Sequence, residues 1–187
     1  MKYNLARLAT ISGLAALLGS CATYHSMASY IGSDKTSLCP DAAILAPTSS
    51  LPAFAPKNGG DPSAVSYTVA MTNVVTRCTY DKEEKTADAR VRINFHAARP
   101  PGGSEAHYRV PYFLAVSRGG DIVAKTVYWA DVEFAPGATQ TDGEVIVDST
   151  TVTVTGDNHI YDYHLLTGFQ LTKAQLDYNS KIGRYEP

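Results

Sequence analysis

From Val65 onward the chain is written in a two-residue period. Val65, Tyr67, Val69 and Met71 alternate with Ser66, Thr68, Ala70 and Thr72, which predicts a strand with one face on a core. The run continues past a bend near Asn73 through residues 78–80, and 81–85 form a charged hairpin tip. The return strand sets Ala89, Val91, Ile93 and Phe95 against Arg90, Arg92, Asn94 and His96, so His96 falls on the solvent side. Residues 98–104 break the pattern. Tyr108, Val110, Tyr112, Leu114 and Val116 then share a face, and Pro111 among them predicts an edge position or a bulge, because it has no N–H for a ladder. Arg118-Gly119-Gly120-Asp121 is a tight hairpin turn. Beyond it Ile122, Ala124, Thr126, Tyr128, Ala130, Val132 and Phe134 lie on one side. Trp129 lies on the other with Lys125, Asp131 and Glu133, where two readings stand equally: a bulge that returns it to the core, or a binding anchor.

Two short extended segments follow, 144–147 and 151–155, and then a turn at Gly156-Asp157-Asn158. Tyr161, Tyr163, Leu165, Thr167, Phe169 and Leu171 give the cleanest alternation in the chain. Thr172, with Gln175 three residues later, has capping-box spacing and predicts one short helix. Upstream, 41–45 is a first strand, and 46–63, rich in Pro, Ser and Gly, is expected to drape over the core through Leu51 and Phe54. Short strands with frequent turns and no long amphipathic helix predict an all-β, antiparallel β-sandwich with a short C-terminal helix, a barrel being the runner-up. Asp157 and Tyr161 have the spacing of a tyrosine corner at the entry to a late strand, which points to an immunoglobulin-like version. The motif departs at His159, where a small residue is usual, and at Tyr163, where antibody domains carry Cys.

Charge and motifs narrow the chemistry. The formal net charge is −2 and no basic run occurs, which argues against nucleic acid as a partner. There is no Gly-x-Ser-x-Gly elbow, His-Glu-x-x-His pair or phosphate loop, and no cofactor is expected. Asp157, His159, Asp162 and His164 come closest to a metal cluster, but polar turn and surface positions account for them, so neither catalytic nor metal residues are expected.

The first residues carry the strongest signal. Lys2 and Arg7 precede an apolar run at 8–18, which Gly19 and Ser20 close. That run is well short of the roughly 20 residues that span a bilayer. Leu17-Leu18-Gly19-Ser20-Cys21 resembles the lipobox of bacterial lipoproteins. The resemblance implies a signal peptide at 1–20, cleavage before Cys21 and lipidation of its sulfur. Ala22, in place of the Asp that retains lipoproteins at the inner membrane, implies the outer membrane. Residues 21–38 would form a flexible tether and 39–187 the sandwich domain. With Cys21 acylated, Cys39 and Cys78 remain, an even pair expected to form a disulfide in an oxidising compartment, with a reactive thiol or metal pair as the alternative.

Further pieces of the chain resemble a group of small proteobacterial envelope lipoproteins. They include Cys39-Pro40 with Ile44-Leu45, Arg77-Cys78-Thr79-Tyr80, Pro111-Tyr112-Phe113, Val132-Glu133-Phe134, and Gly168-Phe169-Gln170-Leu171-Thr172 with the segment 175–179. This resemblance implies an envelope location and brings no activity with it. The expected function is therefore a lipid-anchored, non-catalytic interaction or assembly module on the periplasmic side of the outer membrane, docking on another envelope protein. The alternative is a periplasmic small-ligand-binding or hydrolytic enzyme with a site assembled from loops 46–63, 98–107 and 156–160.

Overall fold

The computed structural model describes residues 39–54 and 65–182, so Cys21, the signal segment and the tether expected at 21–38 lie outside the described residues. The strands are β1 (Asp41–Ile44), β2 (Ser50–Phe54), β3 (Val65–Asp81), β4 (Thr86–Ala98), β5 (Ala106–Arg118), β6 (Asp121–Phe134), β7 (Gln140–Thr153) and β8 (Tyr163–Phe169). Short 3-10 turns occupy Ala46–Thr48 and Ile160–Asp162, and one helix, α1 (Lys173–Ile182), closes the chain. The strands form two four-stranded sheets, ordered β1-β8-β5-β6 and β2-β3-β4-β7. Every pairing is antiparallel except β1 on β8, which is parallel. The fold is an all-β sandwich with a short C-terminal helix.

The alternation decides which face is inside. Val91, Ile93 and Phe95 of β4 meet Val110, Tyr112 and Leu114 of β5, Val132 and Phe134 of β6, and Leu165 and Phe169 of β8 in one core. Burying each large side chain contributes about 1.5–3 kcal/mol, so this shared interior holds the two sheets together. Thr167, fully buried in the same row, donates its hydroxyl to the Phe113 carbonyl at 2.7 Å, so no polar group is stranded there. The charged tip at 81–85 folds as the pattern predicts, with Asp81 Oδ1 accepting from the backbone N–H groups of Glu83 and Glu84. Gly119 and Gly120, with φ of 59° and 92°, make the two-residue β5–β6 turn. At α1 the side chain of Gln175 accepts from the Thr172 N–H at 2.8 Å, the capping contact that the sequence announced.

Five local expectations need correction. Ser50–Phe54 is not a draped loop but an edge strand paired with β3, and Pro52 is tolerated there because an edge needs ladder bonds on one side only. The extended segments expected at 144–147 and 151–155 join, as far as Thr153, in a single strand, β7, whose register with β4 shifts between Ala89 and Val91. Pro111 is at neither an edge nor a bulge. It lies in an inner strand at the end of the β8 ladder, where its carbonyl accepts from Gln170 N–H at 2.9 Å; its ring nitrogen therefore faces β8, and the β5–β6 ladder loses no bond to it. The bulge in this hairpin falls instead at Val123, where Val116 pairs Ala124 and Ser117 pairs Ile122, so Ile122 leaves the inward phase and is exposed. Finally, Tyr161 does not make the backbone contact that the spacing from Asp157 suggested; Tyr163 makes one instead. Its hydroxyl accepts from the Thr155 backbone N–H at 3.1 Å, while Tyr161 is exposed and stacks on His159. Burial pushes the Tyr163 phenol up, but the Thr155 hydrogen bonds and the Arg118 guanidinium outweigh it and hold the group below its ordinary pKa.

Candidate functional site

The sandwich treats its four outer strands differently. An unpaired edge offers a row of N–H and C=O groups to any passing strand. Along β2 that row is covered: Gln175 and Asn179 of α1 donate to the carbonyls of Pro52 and Ser50, both at 2.8 Å. Strand β1 is only four residues long. Both β6 and β7 have 14 residues and end their sheets, and among the described residues nothing pairs with their outer edges.

The outer faces of these two strands differ in chemistry. On β7 and its neighbour β4 the outward side chains pair charges: Arg90 with Asp148 at 3.1 Å, Arg92 with Glu144 at 3.4 Å and His96 with Asp142 at 2.8 Å. Such exposed pairs contribute little stability and make a solvated surface. On β6 the outward row is Lys125, Val127, Trp129, Asp131 and Glu133, which mixes charge with large apolar groups. Trp129 is 55% exposed and Val127 45%. No bulge returns the indole to the core, because Trp129 pairs Pro111 in uninterrupted register. The Arg109 guanidinium sits 5.4 Å from the indole centroid and 3.7 Å from Asp131, which also lies 3.2 Å from His107. Lys125 is held above the Phe113 ring at 4.4 Å and donates to Gln170 Oε1 at 2.8 Å.

Around the far end of β6 this surface turns into a cleft of about 660 Å³ between the two sheet edges. Phe95, Val132, Phe134 and Pro136 supply apolar wall, and His107, Asp131, Glu133 and Asp142 supply polar rim. Gly143 keeps the floor open for Phe95: a Cβ there would meet the Phe95 ring directly. Arg99 ties the adjoining loop to the β6–β7 connection by donating to the Ala138 and Ala135 carbonyls at 2.8 and 3.1 Å.

Cys39 and Cys78 form the expected disulfide, with Cα atoms 5.6 Å apart, joining the lead-in of β1 to β3 of the other sheet. The four polar residues near the last turn do not assemble into a metal site. Asp162 accepts from the His159 backbone N–H at 2.8 Å and so caps its own 3-10 turn, while His164 points to solvent from β8. Among the described residues no group of three or more His, Cys, Asp or Glu is placed to hold a metal. Two of the loops expected to share a site are also kept apart. Residues 156–160 lie beside Lys82 and Lys85 at one end of β4, and the loop after Ala98 begins at its other end, about 40 Å away at strand rise.

Sequence reasoning put Trp129, Lys125, Asp131 and Glu133 on one face but missed His107, Arg109 and the cleft. The hairpin turn at 118–121 places the two strands side by side, but the bulge at Val123 sets which residues face each other, and the cleft also needs β4 and β7 of the other sheet. Among known proteins, the chain matches no family model, no curated protein and no solved structure. Among the described residues no helix is long and apolar enough to cross a membrane.

Proposed function

We propose that this chain is a lipid-anchored, non-catalytic interaction or assembly module, held on the periplasmic side of the outer membrane through a lipid at Cys21. One observation carries the docking part of the reading: Trp129 and Val127 stand half-exposed on a long strand edge with which, among the described residues, no other strand pairs. An aromatic anchor amid charged neighbours is the composition of an interface centre, and an open edge adds main-chain hydrogen bonds. The anchor rests on the lipobox resemblance of residues 17–21, and the Cys39–Cys78 disulfide supports an oxidising compartment. The Tyr163–Thr155 contact at the entry to the last strand supports an immunoglobulin-like variant of the sandwich.

The test is chemical crosslinking in intact cells. The wild-type chain is expected to give a discrete crosslinked species, and Trp129→Ala to lose it while remaining folded. Cys21→Ser is expected to move the protein to the soluble fraction. Persistence on the membrane refutes the anchor, and an unchanged crosslink with Trp129→Ala refutes the docking surface. The cleft beneath Phe134 favours the second reading, a periplasmic small-ligand binder or hydrolase.

A further inference from the structure

The backbone of β6 decides which partner its edge accepts. The Pro111 carbonyl accepts from Gln170, so the backbone polar groups of Pro111 point toward β8 and away from β6. Pro111 and its register partner Trp129 are therefore a non-hydrogen-bonded pair, and the N–H and C=O of Trp129 point to the open side. By alternation the same holds for Lys125, Val127, Asp131 and Glu133. The side chains on the outer face and the free backbone groups thus belong to the same residues. The bulge at Val123 ends this regular stretch at one side.

An antiparallel strand that uses these groups can come from a second copy of the chain, related by a twofold axis, in only a few registers. With the axis at Tyr128, Lys125 lies opposite the second copy's Asp131 and Val127 opposite its Trp129, each twice by symmetry. Opposite charges meet, apolar groups meet, and four hydrogen-bonded residue pairs form between the two 125–131 segments. With the axis at Trp129, Lys125 faces Glu133 but Val127 faces Asp131, leaving an apolar group against a charge. With the axis at Val127, Lys125 faces the indole. One register alone therefore matches both charge and apolar pattern. Lys on an edge strand ordinarily discourages pairing; here it selects a partner that supplies Asp.

We propose that β6 pairs antiparallel with β6 of a second copy, centred on Tyr128, joining two sheets into one of eight strands. The proposal rests on the interaction-module reading and names its partner. Two chains tethered to one membrane meet at high effective concentration, so a short edge contact is enough.

The experiment measures the dissociation constant of the full-length chain, purified from membranes in detergent, by sedimentation. Wild type is expected to dimerise. Lys125→Asp and Asp131→Lys are each expected to weaken the dimer at least about tenfold, and the double swap to restore it, because the pair is rebuilt with its charges exchanged. Urea midpoints close to wild type establish that the variants are folded. As a second readout, Tyr128→Cys is expected to give a disulfide-linked dimer in cells, since the two Tyr128 positions face each other across the axis at about 4.5–5.5 Å between Cβ atoms. A wild-type chain that stays monomeric, or single swaps that weaken the dimer without rescue by the double, overturns the pairing. If the chain is monomeric yet crosslinks to a different protein in a Trp129-dependent manner, this inference fails and the interaction reading stands. If there is neither a dimer nor a crosslink, both fail.

Discussion

Removing the Cys39–Cys78 disulfide, as the double variant Cys39→Ala, Cys78→Ala, is expected to destabilise the domain and to free β1. The linked positions are 39 residues apart, and loop closure of that length restrains the unfolded chain by about 4 kcal/mol. Strand β1 has little else to hold it. Asp41 and Ala43 are exposed, Ala42 and Ile44 are only partly buried, and the ladder to β8 covers four residues. Ordering four backbone residues costs about 4–8 kcal/mol. Partial burial of Ile44 returns less than about 2 kcal/mol, and each ladder hydrogen bond about 1 kcal/mol. The balance without the crosslink is close to zero, so the strand is expected to detach. Urea unfolding followed by far-ultraviolet circular dichroism reads the first effect. With a denaturant dependence of about 2 kcal/mol per molar, the midpoint is expected to fall by about 2 M. Hydrogen exchange reads the second, as lost protection at the amides of residues 41–45 and at the facing edge of β8. A midpoint shift below about 0.5 M with those amides still protected refutes the reasoning.

Two further outcomes follow from packing and titration. Gly143→Ala sets a methyl against the buried Phe95 ring and is expected to cost about 1–3 kcal/mol; in a Phe95→Leu background the penalty shrinks, and a double-mutant cycle without coupling refutes the contact. Burial, with the neighbouring Tyr128, pushes the Tyr112 phenol up to about 12. An unfolded tyrosine ionises near pH 10, so between about pH 10 and 12 the unfolded state holds fewer protons, and stability falls by up to about 1.4 kcal/mol per pH unit. Below pH 10 this group makes no difference. Urea midpoints from pH 9 to 11.5 check the slope, and Tyr112→Phe is expected to flatten it; an equally steep slope in that variant assigns the loss elsewhere.

The sequence by itself determined a good deal: the sandwich class, the inward face of most strands, both glycine and charged hairpin tips, the helix cap and the Cys39–Cys78 pairing. Each is local, except the cysteine pairing, which was expected from the lipobox resemblance that sets Cys21 aside. Alternation in β4 and β8 reports burial because side chains on a strand point to opposite faces whatever lies beside it. What failed were positions where a neighbour decides. Ser50–Phe54 resembles a loop until β3 provides a ladder and α1 covers its carbonyls. Pro111 signals an edge until the β8 ladder is seen to stop beside it. The outward face of Trp129 was legible, but not the openness of its backbone, because hydrogen-bond parity is set by β5 and β8 and leaves no trace in the side-chain pattern. Side-chain chemistry along the chain thus chose the faces, and strand order across the sheets chose which edges are left unpaired among the described residues.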